Sequence, residues 1–496
     1  MVDPVFASRL QFALTTIVHI IFPVMSMGLA PFLVYFTWKS IRSSDPVWER
    51  QRRFWTEIFA ISFVVGTVTG LVLEFEFGTN FAAFATFAGE LFGGPLAVEG
   101  MMAFFLEATF LGVFVFGREK VGDALYLVSA VAVALGTWLS AVWILIANSW
   151  MQTPRGYELV QRGGRTVVTV VDPVAAYLNP RFPWMFVHMQ SAAVLSVALF
   201  MAGVAAYFVS RSSADGGEGD DDRDDDESDS RTDDTRFWRT TLKIALLVML
   251  VTAPFQVVHG DSYARHVADT QPQKFAAMEA QYETEAPAAL HLVAIPTDPS
   301  AFTDPRAENL WTLDIPALAS ILASGGNPTY PVQGLETFQG SPPVAIVFWS
   351  FRMMVLLGFW FVGLAVWGAY RWRHGELFTD RRLHLALMGS APLGFAAVEI
   401  GWIVTEVGRQ PWVVQGLLRT QSAVSPGLTG TEATLTLVGF ALVYTGLLVG
   451  YGYVVRRIIR SGPPEIDAAE SASTEEGGED SSPSDRTPTA EVSGDD

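Results

Sequence analysis

Few side chains of this 496-residue sequence can do chemistry inside an apolar phase, and those few stand out by position. Of seven histidines, only His19 and His188 fall within long apolar runs; His259 stands at the end of one. Met354 lies deep in another run, two residues after Arg352. The carboxylates Glu57, Glu74, Glu76, Glu99, Glu107, Glu399 and Glu406 lie in or at the ends of such runs. An ionisable group in a membrane helix costs several kcal/mol and marks a functional position by default. Buried His and Met are the axial ligands that hold a heme iron, with Met raising its potential. With no cysteine, thiolate metal sites, iron–sulfur clusters and disulfide frameworks are excluded. Two histidines among 15 Trp and 35 Phe suit heme better than zinc or copper. Each residue also has a plainer reading. A single membrane His can be a hydrogen-bonded packing residue, a Met is ordinarily packing, and Glu57 and Lys243 snorkel toward an interface. Glu99 and Glu107, eight residues apart, point to roughly one side of a helix; they line a water-filled proton path or pair with Arg352.

The elements that must position these groups are membrane helices. A span needs about 20 apolar residues, and nine stretches qualify: 11–38, 55–73, 95–117, 124–147, 184–209, 239–258, 344–370, 386–406 and 431–454. The expected fold is an all-α membrane protein of about nine transmembrane helices in heme-binding bundles. The first helix is read as retained, because MVDPVFASRL has no basic leader region. Placing the N-terminus outside and the C-terminus in the cytoplasm puts 20 basic residues in the cytoplasmic connections against 10 outside. The organisation is then helices one to five over 1–210, an acidic cytoplasmic loop over 211–238 and helix six over 239–258. A long external loop follows over 259–343, then helices seven to nine over 344–460 and an acidic tail over 461–496. With this topology nearly every costly polar group falls in the outer half of the membrane.

Charge divides the chain the same way. The formal net charge is −19, yet half the residues are hydrophobic. Segments 211–236 and 461–496 hold 23 acidic and five basic residues, which leaves the other 434 residues close to neutral. Such acid-rich, low-complexity stretches read as disordered and solvated. The balance excludes a basic nucleic-acid binder. No internal repeat of the kind that marks many transporters is evident.

Several longer motifs are specific. They are SRLQFALTTIVH (8–19), EFEFGTN (74–80), GPLAVEGMMAFFLEATF (94–110), SAVWILIANSWMQTPRG (140–156), QPQKFAAMEAQYET (271–284), FWSFRMM (348–354) and GRQPW (408–412). In this order, with this number of helices, they resemble subunit I of the cytochrome bd quinol oxidases. The resemblance covers nearly all nine spans and implies three hemes: a low-spin heme b, a high-spin heme b and a heme d, or a third heme b in its place. It implies His188 and Met354 as axial ligands of the low-spin heme. Met354 and Met353 differ by about 100° around a helix, so only one of them can face an iron. It places Arg352 near heme propionates and Arg9 among the cofactor-binding residues. His19 becomes an axial ligand in the oxygen-reactive pair, taken here as that of heme d, and Glu406 a ligand of the high-spin heme b. Arg409 is suited to a propionate or to fixing that carboxylate. Glu99 falls beside the oxygen-binding heme and Glu107 on the proton route. Lys274 and Glu279 hold the positions of the quinol-site residues. Phe81 and Tyr282 stand where the family commonly has Trp, which points to altered quinone fit.

The expected activity is an electrogenic quinol:O₂ oxidoreductase of the cell membrane. Quinol is oxidised at the outer face and O₂ reduced to water, with protons taken from the cytoplasm. The expected partners are subunit II in a heterodimer, quinol, O₂ and the lipid bilayer, with no nucleic acid. The alternatives are an oxidase with heme b in place of heme d, a proton-coupled transporter using Glu99 and Glu107, and a non-catalytic heme-bearing electron-transfer subunit.

Overall fold

A computed structural model of the protein describes residues 2–215, 225–296 and 308–465. Its helices are α1 (Pro4–Arg42), α2 (Val47–Thr79), α3 (Ala82–Val98), α4 (Phe104–Phe116), α5 (Asp123–Gln152), α6 (Pro173–Tyr177) and α7 (Phe182–Asp215). They continue as α8 (Asp225–Thr270), α9 (Pro272–Glu279), α10 (Leu318–Ser324), α11 (Val344–Arg373), α12 (Arg381–Ser390), α13 (Leu393–Val407) and α14 (Gly430–Ser461). Among the described residues, nine helical segments are long and apolar enough to cross a membrane. The expected all-α membrane fold is what forms.

Local chemistry sets the ends. The Asp3 side chain accepts from the Val5 amide at 3.0 Å with Pro4 at the first helical position, so α1 starts before its apolar run does. At α14, Thr429 and Glu432 form a reciprocal capping box. Two spans are longer than hydropathy alone suggests. The third span begins at Ala82 instead of 95 and is interrupted at Glu99–Ala103 by a π-helical turn. Helix α8 runs on past 258 to Thr270, because polar residues such as His259, Asp261 and Arg265 keep helical propensity while losing apolar character. Helix also enters both ends of the acidic segment 211–238; residues 216–224 and the tail 466–496 lie outside the described residues.

Helices α7, α8, α11 and α13 pack in a closed ring, each against the next, while α1 packs against α2, α5, α7 and α14. Close approach is bought by small residues. A Cβ on Gly394 of α13 would lie 2.6 Å from Ser196 Cα of α7, and one on Gly28 of α1 would run into the Ala193 carbonyl. The long connections gather at one end of the bundle. Three antiparallel hairpins stand there: β1 (Tyr157–Arg162) with β2 (Arg165–Val170), β3 (Leu290–Pro296) with β4 (Asn309–Ile315), and β5 (Trp412–Val414) with β6 (Leu418–Arg419). Backbone bonds such as Gln415 N–H to Met151 O (2.9 Å) and Ser425 N–H to Asn80 O (2.9 Å) fasten them to the helix ends.

The largest apolar core lies in the other half of the bundle. It joins Leu29, Phe36, Trp55, Phe59, Leu199, Trp238 and Leu364, all essentially without solvent contact. The loop-side half holds several smaller clusters and the polar groups singled out above.

Candidate active site

His188 comes from α7 and Met354 from α11, opposite corners of the α7–α8–α11–α13 ring. Each faces a glycine: a Cβ on Gly260 of α8 would lie 3.4 Å from His188 Cε1, and one on Gly401 of α13 would lie 3.1 Å from Met354 Sδ. Met353 is 43% exposed, so Met354 is the inward residue of the pair. The amide of Gln256 donates to His188 Nε2 at 3.0 Å, and His259 Nδ1 lies 3.4 Å from His188 Nδ1 with the two rings stacked. This network assigns the His188 proton to Nδ1 and a lone pair to Nε2.

His19 on α1 is set up in the same way. The Thr69 hydroxyl donates to the Val65 carbonyl at 3.0 Å and accepts from His19 Nδ1 at 2.9 Å. Nε2 again keeps its lone pair, with no partner among the described residues. A Cβ on Gly70 would lie 3.2 Å from the His19 ring. Helix α5 supplies the carboxylate contacts. Ser140 donates to Glu99 at 2.6 Å and the Asn148 amide donates to Glu406 at 2.9 Å. These two α5 residues lie within about 80° of one another around the helix. The π-helical turn at Glu99–Ala103 begins at the first of the two acids of the third span.

Glu406 is also paired with Arg409, whose Nε and Nη1 are buried without a partner. Lys274, 2% exposed, reaches the same place, donating to Gln152 and, at 2.9 Å, to the Thr405 carbonyl. Burial, aided by the Arg181 and Arg409 charges, holds its ammonium well below the ordinary lysine range. Arg181 is 1% exposed, donates to Gln271 at 2.7 Å, stacks over Tyr263, and has an unpartnered Nε. Three buried cations thus face one carboxylate.

Arg352 pairs with Glu279 at 2.5 Å and donates to the His291 carbonyl at 2.8 Å, so it does not pair with Glu99 or Glu107. The structure therefore brings Glu279 to Arg352 and Lys274 to the Glu406 side. Arg9 stands apart, exposed on α1 about 15 Å along the axis from His19. Sequence reasoning missed Arg181, Thr69, Gln256 and His259. None carries a signal of its own, because each acts through a residue on another helix.

The donor set fits heme. The imidazoles of His19 and His188 and the Met354 thioether lie against glycines, where a ring edge meets no Cβ, and the surplus guanidinium N–H groups match propionates. The family model for the cytochrome bd terminal oxidase subunit I matches residues 7–463. The chain belongs to that family. It is 31% identical to cytochrome bd-II ubiquinol oxidase subunit 1 of Escherichia coli, over 94% of this chain and 98% of that one. It is also 31% identical to cytochrome bd ubiquinol oxidase subunit 1 of Bacillus subtilis, over 88% and 89%. The solved bd oxidase of Geobacillus thermodenitrificans superposes with a TM-score of 0.79 at 28% identity, covering 93% of this chain and 99% of that one. As a cytochrome bd oxidase subunit I, the chain is a multi-pass, heme-bearing subunit of a terminal oxidase. A subunit so named works with a partner subunit.

Proposed function

We propose that this chain oxidises quinol at the loop side and delivers the electrons to O₂ through three hemes. His188 and Met354 hold a low-spin heme b, Glu406 a high-spin heme b, and His19 a heme d. The observation that carries the reading is the pair His188 and Met354 on opposite helices of one ring, each lying against a glycine. The bound hemes supply one-electron transfer and the reduction of O₂ to water. The protein supplies the rest. Arg409 and Arg181 neutralise propionates, and Arg409 with Asn148 fixes the Glu406 carboxylate. Arg352 holds Glu279, the acceptor for quinol protons; Lys274 is the buried cation that steadies developing charge on the quinol oxygen. Glu107 and Glu99, the latter bonded to Ser140 of α5, carry protons to the oxygen site.

The loop side faces outward in the cell membrane, by the excess of Lys and Arg on the opposite side. Protons for water then come from the cytoplasm across the packed half, which makes the reaction electrogenic. The working unit is a heterodimer with subunit II. A reduced-minus-oxidised spectrum of the purified complex, with pyridine hemochrome analysis, tests this: two hemes b and one heme d are expected. Three hemes b would assign the heme b variant of the oxidase, and a chain without heme would overturn the reading.

A further inference from the structure

Glu399 is a buried acid that the proposed reading leaves unused. Both of its carboxyl oxygens are closed off from the surface, and neither has a hydrogen-bond partner among the described residues. The acids around it differ. Glu76 is bonded by Thr15 and Gln11, Glu99 by Ser140, and Glu406 by Asn148 and Arg409. Glu57 and Glu74 are exposed.

Its place on α13 is informative. Glu399 precedes Glu406 by seven residues, which puts it about 10 Å further along the axis and within about 20° of the same direction. Gly394 and Gly401, which pack on α7 and Met354, lie on the far side of the helix from that direction. Glu399 therefore faces the Glu406 chamber and not the His188–Met354 ring. Trp402 and Phe395, on the same stripe, pack against the Ile20, Val24 and Leu145 cluster. An ionised carboxylate so placed, with no donor, would carry a large desolvation cost.

We infer that Glu399 is a second proton-holding site of the heme chamber, separate from the Glu107–Glu99 pair. The inference rests on the proposed heme placement. Its carboxyl group holds a proton while electrons are present in the chamber and yields it to the loop-side solvent when they leave, so one proton accompanies each electron held there.

Redox-difference infrared spectroscopy of the purified complex tests this, with heme content measured in parallel. The wild type is expected to show a protonated-carboxyl C=O band that changes with redox state. Glu399→Gln should lose that band while keeping all hemes, and Glu399→Asp should restore it at a shifted frequency. A band that survives Glu399→Gln with hemes intact would overturn the inference. So would loss of the high-spin hemes in both variants, which would make Glu399 a structural support. A wild-type complex without heme would instead sink the underlying oxidase reading, so the two failures are distinguishable.

Discussion

An imidazole can hold iron only through the nitrogen whose lone pair is free, so the group that takes the other proton matters nearly as much as the ligand. For His19 that group is Thr69, which accepts from Nδ1 at 2.9 Å. Thr69→Val should weaken retention of the group held by His19 roughly 10- to 100-fold, read as heme lost on competition with an apo-heme protein. Normal retention would show that the ring is oriented by packing alone. The two adjacent methionines give a sharper contrast. Met354→Leu should abolish the low-spin heme signal, whereas Met353→Leu, at a 43% exposed position, should leave it intact. Reversed effects would move the ligand by one residue. The histidines stand out in the sequence by type and depth, whereas Met354, of a type that ordinarily only packs, is singled out by the family resemblance. Thr69 and Gln256 do not stand out, because a hydroxyl or amide acquires its role only when another helix is brought against it.

Helix number was read well from hydropathy because the cost of an unpaired backbone in lipid forces each apolar run into one helix. Helix ends were read less well. Hydropathy stops where apolar character stops, and α8 continues to Thr270 on hydrogen bonding and propensity. That extension brings His259 alongside His188, a contact that a loop beginning at 259 would not produce. Packing between helices rests on small residues. Gly394→Leu should push α13 off α7 at a cost of about 1–3 kcal/mol, seen as a lower thermal midpoint and weaker heme retention. An unchanged midpoint would mean that Ser196 moves aside freely. At α14 the end is set by the capping box, so Thr429→Ala should cost about 1 kcal/mol without touching the heme spectrum.

At the scale of the molecule, the −19 charge belongs to two acidic stretches and not to the body that holds the chemistry. Deleting 465–496 should leave heme content and quinol oxidation intact. Hemes lost from a well-inserted truncation would show that the tail does more than solvate. The division of the bundle into a densely packed half and a polar half has an electrical meaning. A core of buried Phe, Trp and Leu side chains insulates, and the polar half is a conductor set into one face of it. On the proposed reading, each elementary charge that moves between the polar half and the opposite surface crosses the larger part of the field, worth about 2.3 kcal/mol per 100 mV across the full membrane. The same packing that closes the leak then sets how much of the membrane voltage each proton has to cross.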